Sequence, residues 1–258
     1  MADYDSNRII RGQVGTQAGV IDAGLRAYML RVYNYMLVAL VVTGGTAYGV
    51  YNAAVTTNPA LATMALKNGV MLTSFGATLF ATPLMWVFML APLGAVIFIN
   101  ARLQRMSLGG AQLAFWLFAG LIGISMSTIF MIYATGSIAE VFFITAAAFG
   151  GLSLYGYTTS TSLSGIGSFL IMGVWGLVIA MVVNMFLQSP MIMWIMSVAG
   201  VFIFAGLTAY DTQRIKNMYS ANDDGTLAGK KSIMGALALY LDFINMFQFL
   251  LFLMGNRR

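Results

Sequence analysis

Apolar residues run through this chain in long blocks separated by short polar joints, and the blocks are of membrane-crossing length. A bilayer core about 30 Å thick needs about 20 consecutive, mostly apolar residues in a helix. Seven blocks meet that requirement, at 27–51, 84–101, 110–133, 137–157, 165–187, 191–211 and 233–254. Arg31 lies one turn inside the first block, where a long side chain snorkels to the headgroups. The charge-free run 70–101 exceeds one crossing, so Pro83 is read as a helix start and Pro92 as a kink within that helix. The weakly polar stretch 52–69, with Pro59 and Lys67, reads as an exterior loop with a short interfacial helix. Gly120 and Gly123 in the third block, and Gly173 and Gly176 in the fifth beside Asn184, are small residues that let helix backbones approach closely.

The pattern predicts an all-α polytopic membrane protein with seven transmembrane helices. Its organisation is a polar tail over 1–26 and one transmembrane domain over 27–258. The tail has no apolar core before a small-residue cleavage site, so the first helix is expected to act as its own insertion signal.

Composition supports this class. Hydrophobic residues make up 60% and charged residues 8%, with a mean hydropathy of +0.84, against about 25% charged in an average soluble domain. Cysteine and histidine are absent, which excludes disulfides, thiolate or imidazole metal sites and histidine-based triads. Proton chemistry falls to Asp, Glu, Tyr, Lys or Arg. No cofactor is expected, and the chain does not read as an enzyme.

The net charge of +5 is gathered in particular loops, which argues against nucleic acid and for a bilayer partner. A cytoplasmic N-terminus puts Arg8, Arg11, Arg26, Arg102, Arg105, Arg214, Lys216, Lys230 and Lys231 inside. Only Lys67, Arg257 and Arg258 then lie outside, the bias that cytoplasmic loops carry.

The membrane-embedded part holds three acids: Glu140, Asp211 and Asp242. Glu140 follows Ser137 at the S-x-x-E spacing of a capping box, and at the outer mouth of its helix it could instead attract cations. Asp211, near the end of the sixth block, could simply pair with Arg214 at the membrane edge. Asp242 is harder to explain away. It lies about 14 Å into the seventh block at 1.5 Å per residue, and an acid at the bilayer centre costs about 3 kcal/mol or more unless partnered. Asn245 and Gln248 follow it at three-residue steps, a polar stripe expected to face the bundle interior.

Consecutive helices usually neighbour each other, so Asp211 and Asp242 are expected to meet. Two carboxylates within a few ångströms do not easily both ionise, and the pair would hold one proton between them. Deprotonated, the same pair could bind calcium transiently, since that ion prefers carboxylate and carbonyl oxygens.

Four segments resemble the Bax inhibitor-1, or transmembrane Bax inhibitor motif, family in its bacterial branch. They are Arg102-Leu-Gln-Arg-Met-Ser107, Ile138-Ala-Glu-Val-Phe-Phe-Ile-Thr-Ala146, Gly206-Leu-Thr-Ala-Tyr-Asp-Thr-Gln-Arg-Ile-Lys216 and Leu239-Tyr-Leu-Asp-Phe-Ile-Asn245. The resemblance implies a seven-helix fold whose last helix is wrapped by the other six, and a pH-sensitive calcium leak across the bacterial inner membrane. It also implies that Asp211 and Asp242 are the paired aspartates, and that a latch arginine at the end of the second helix falls on Arg102 or Arg105. On that reading calcium passes Glu140, Asp242 and Asn245.

Two other readings remain. An intramembrane aspartyl protease would also use two aspartates, but its second stands in Gly-x-Gly-Asp, where this chain has Tyr-Leu-Asp, and no Pro-Ala-Leu can follow because Pro190 is the last proline. A binding partner of a membrane-anchored AAA protease, a role associated with bacterial relatives, would use the polar tail as its grip.

Overall fold

The computed structural model describes residues 2–66 and 69–257, with side chains from Ala23 onward. Most of the predicted tail is therefore described as backbone only, as the first part of a helix, and Met1, Lys67, Asn68 and Arg258 lie outside the described residues. Among the described residues, seven helices are long and apolar enough to cross a membrane: Ala23–Ala54, Leu84–Arg105, Leu108–Ile132, Thr135–Thr158, Ser164–Leu187, Pro190–Asn217 and Gly225–Met254. An all-α polytopic architecture follows from their length and apolarity.

In chain order the elements are α1 (Ala2–Ala54), α2 (Ser74–Phe80), α3 (Leu84–Arg102), α4 (Leu108–Met126), α5 (Ile129–Ile132), α6 (Thr135–Thr158), α7 (Ser164–Leu187), α8 (Pro190–Asn217) and α9 (Gly225–Met254). Pro83 stands immediately before α3 and Pro92 within it, as the sequence predicts. The expected exterior loop is more ordered than the pattern suggests. Strands β1 (Val55–Thr56), β2 (Met64–Ala65) and β3 (Met71–Leu72) form an antiparallel sheet in the order β1-β3-β2, with Leu72 opposite both Val55 and Met64. Two-residue strands show no readable alternation, and that is why the pattern missed them.

The third block is also not one uninterrupted helix. After α4 the Ser127 and Thr128 hydroxyls donate to the carbonyls of Ile124 and Ser125, and the helix breaks before α5. Such local hydroxyl bonds compete with the helical ladder. The predicted capping box at Ser137 does not form. Helix α6 begins at Thr135, and the Ser137 hydroxyl accepts the Asn256 N–H instead. Among the four glycines singled out for packing, Gly123 abuts Thr43 of α1 and Gly173 abuts Ile203 of α8, whereas Gly120 and Gly176 border open space.

The contacts at its two ends show that α9 runs the length of the helix bundle. Ala134 donates to the Asn256 carbonyl, and Tyr133 and Arg257 form an isolated β-bridge, so the end of α9 lies beside the start of α6. Near the start of α9, Lys230 donates to the Gln104 carbonyl just past α3, on the opposite face. Thirty residues at 1.5 Å each give about 45 Å, ample for that path.

Helix α9 is also the most deeply buried of the seven. It packs against α8, α1, α6 and α4. Tyr240 is the pin on the α1 and α4 side. Its ring meets Phe115 and Phe118 edge-on at 5.8 and 5.9 Å. The Thr43 hydroxyl donates to the Ala119 carbonyl, so its 2.7 Å contact with Tyr240 is a bond donated by the tyrosine.

Candidate functional site: a carboxyl pair between the last two long helices

Helices α8 and α9 run antiparallel, and their contacts keep one register. Phe204 stacks on Phe249 at 6.0 Å, and farther along Ile215 packs onto Gly235. That register brings Asp211 opposite Asp242, near enough for the two carboxyl groups to interact electrostatically. A close approach makes it possible: a Cβ on Gly200 would sit 2.5 Å from the Phe249 ring. Small residues thus set both ends of the helix pair that holds the carboxyls.

The environments of the two acids differ. Asp242 is only 4% exposed, and its Oδ2 finds no donor among the described residues. Asp211 is partly buried and its Oδ1 stands 3.7 Å from Nη1 of the exposed Arg214. A cavity of about 180 Å³ opens beside Asp211, bordered by Asn100 of α3, Arg214, Met218 and Leu241. Ionised carboxyls have no hydrogen to donate, so a bond between these two requires one proton held by the pair. The arrangement can therefore take up or release a proton, or accept a cation in its place.

The rest of the Tyr-Asp-Thr-Gln-Arg-Ile-Lys segment anchors this end of α8, a role sequence reasoning did not assign. Thr212 donates to the Thr208 carbonyl, so Ser153 of α6 donates to Thr212 at 2.9 Å and Tyr33 of α1 donates to Ser153 at 2.7 Å. Gln213 accepts the Leu163 N–H and donates to the Thr161 carbonyl, both at 2.9 Å, clasping the loop before α7. Lys216 donates to the Tyr157 carbonyl at 2.7 Å. Asp211 is thus carried on a helix end held at four places.

The other expected residues are not gathered here. Arg102 ends α3 and Arg105 ends the short 3-10 turn Leu103–Arg105, and both are exposed. Asp211 pairs with Arg214, and α3 reaches the cavity through Asn100. Glu140 is exposed on α6 near its start. Asn245 turns its amide back onto the Leu241 carbonyl at 2.8 Å, and Gln248 is exposed. The expected inward stripe therefore ends after Asn245. Each three-residue step falls about 60° short of a turn, so Gln248 sits about 120° round the helix from Asp242. Among the described residues no group of three or more His, Asp or Glu side chains could hold a metal ion.

Comparison with known proteins agrees with the site's sequence context. The family profile described as "Inhibitor of apoptosis-promoting Bax1" matches residues 25–258. An uncharacterized protein of Rickettsia prowazekii is 44% identical over 237 residues, covering 92% of both chains. The inner membrane protein YbhL of Escherichia coli K12 is 42% identical over 238 residues, 92% of this chain and 94% of its own. A Caulobacter vibrioides protein is 41% identical over 239 residues, again 92% of both. A profile match over nearly all of the membrane domain, with relatives this similar along almost their full length, means that the chain belongs to the Bax inhibitor-1 family.

Proposed function

We propose that this protein is a pH-sensitive calcium leak of the bacterial inner membrane, with Asp211 and Asp242 as its gate and α9 as the central helix about which the others are arranged. The observation that carries the reading is the carboxyl pair itself: two acids facing each other across apolar helices, one of them nearly inaccessible. Acids inside a membrane mark ion or proton paths because a merely structural role would not repay their cost. The nine-to-three distribution of Lys and Arg supports a cytoplasmic N-terminus.

In the closed state α8 and α9 are held in register, Asp211 is tied to a cationic side chain and one proton bridges the pair. Arg214 holds Asp211 in this conformation; Arg102 or Arg105 takes that place if the end of α3 swings toward the Asn100 cavity. A second proton removes the charge on which such a tie depends, and loss of the bridging proton leaves two carboxylates that repel; in either case the cytoplasmic end of the bundle can part. Calcium is the cargo. It would pass from the Glu140 side by way of Asn245 and Asp242, held transiently by two carboxylates, fewer ligands than its usual six to eight.

Flux into dye-loaded proteoliposomes, with calcium compared against sodium and protons for the parent and Asp211→Asn, tests this directly. Calcium flux that depends on pH in the parent and loses that dependence in the variant is expected. Equal behaviour of the two proteins at every pH sinks the gate.

A further inference from the structure

A second feature lies away from the carboxyl pair. Between α1 and α6 two cavities of about 640 and 480 Å³ share Leu37, Leu40, Phe142 and Phe243, and so lie end to end along one groove between the two helices. Its floor is α9, through Phe243, Ile244 and Phe247. Along α1 the lining runs from Arg26 to Ala47, about 32 Å at 1.5 Å per residue, which matches the hydrocarbon thickness of a bilayer.

The chemistry of the wall selects the occupant. Nearly all of it is aliphatic or aromatic, and no acidic side chain lines it. Three of its hydroxyl protons are used internally: Tyr33 donates to Ser153, Ser153 to Thr212, and Thr43 to the Ala119 carbonyl. A polar solute would find no free hydroxyl donor at those positions. An alkyl chain needs none, and it gains from every methylene removed from water or loosely packed surroundings.

Charge appears at one end. Arg26 is exposed at the rim, and Tyr157 borders the same end with Lys216 Nζ lying 5.1 Å over its ring. A cationic rim above an apolar slot open to the bilayer complements an anionic headgroup above its acyl chains.

We propose that this groove is a binding site for an anionic phospholipid of the cytoplasmic leaflet. Its phosphate sits at Arg26, and an acyl chain runs between α1 and α6 onto Phe243. The occupant would touch α9 at the residue next to Asp242, so lipid occupancy and the state of the carboxyl pair are mechanically adjacent. The site stands without the leak reading; only the leaflet depends on the proposed orientation.

The test is native mass spectrometry of the full chain in detergent, titrated separately with phosphatidylglycerol and phosphatidylcholine. Arg26→Gln removes the rim charge. Gly150→Leu fills the groove from a position whose Cβ would meet nothing within 4 Å, so the fold should tolerate it. The parent is expected to prefer phosphatidylglycerol. Arg26→Gln should weaken that lipid about five-fold, the effect of one basic residue at a charged surface, and leave phosphatidylcholine unchanged; Gly150→Leu should weaken both. Equal affinity of the parent for the two lipids, or variants that bind as the parent does, would mean annular lipid only. A second copy of the chain whose association is lost in Gly150→Leu would also overturn the assignment.

Discussion

Asp242→Asn is the most informative change because it preserves shape and removes only an ionisable group. Asp242 is 4% exposed, and one of its oxygens has no donor among the described residues unless a proton is supplied. Two bare carboxylates about 4 Å apart repel by about 4 kcal/mol at an effective dielectric constant of about 20. One shared proton cancels that repulsion, so up to about 4 kcal/mol of the helix-pair energy is under proton control. By the usual 1.4 kcal/mol per decade, this is nearly three decades in the ratio of closed to open forms. In Asp242→Asn the amide donates to Asp211 whether or not the medium supplies protons, and the controlled part disappears. Calcium flux in proteoliposomes, measured on the acidic and alkaline sides of neutrality and normalised to incorporated protein, should vary with pH for the parent. For the variant the ratio of the two fluxes should fall to about one. A folded Asp242→Asn protein that keeps the parent's full pH response would refute the argument, since no other described acid faces Asp211.

Three further changes test the frame that holds the pair. Thr43→Val leaves the buried Tyr240 hydroxyl without its acceptor and should lower unfolding stability in detergent by about 1 kcal/mol, with Thr43→Ser restoring most of it. Gly200→Val drives a side chain into the Phe249 ring, for which overpacking costs of about 1–3 kcal/mol apply, and thermal unfolding should show it together with reduced pH dependence of flux. Gln188 caps α7 with a φ of 49°, so Gln188→Gly should raise the melting temperature modestly, by the equivalent of about 0.5 kcal/mol once the added freedom of the unfolded chain is deducted.

Much of this architecture was legible in the sequence, because in a bilayer the pattern is enforced by solvent. Backbone groups have no water to bond to, so only complete helices cross, and each appears as an apolar block. Pro83 and Pro92 therefore fell where the blocks predicted them, before and within α3. What hydropathy does not encode was less legible. The sheet formed by β1, β2 and β3 consists of two-residue strands, and the α4–α5 break is made by hydroxyl bonds that leave hydropathy unchanged.

The site shows the same division. Asp242 was identifiable from depth alone, since nothing but a partner makes an acid tolerable there. Its facing partner could be expected only from the rule that consecutive helices neighbour each other. The Tyr33, Ser153 and Thr212 chain was not foreseeable, because three hydroxyl residues scattered over three helices carry no common spacing. Gln213 and Lys216 likewise read as ordinary polar residues until the loop before α7 and the end of α6 are brought to them. Those bonds are what make Asp211 useful. An acid at a frayed helix end would meet Asp242 in many geometries and hold a proton in none of them well, whereas Asp211 stands on a segment tied to α1, α6 and the loop before α7. In the proposed gate the motif around it therefore has two functions in one stretch of chain: Asp211 supplies the titrating group, and its neighbours supply the rigidity that the proton-dependent contact between α8 and α9 requires.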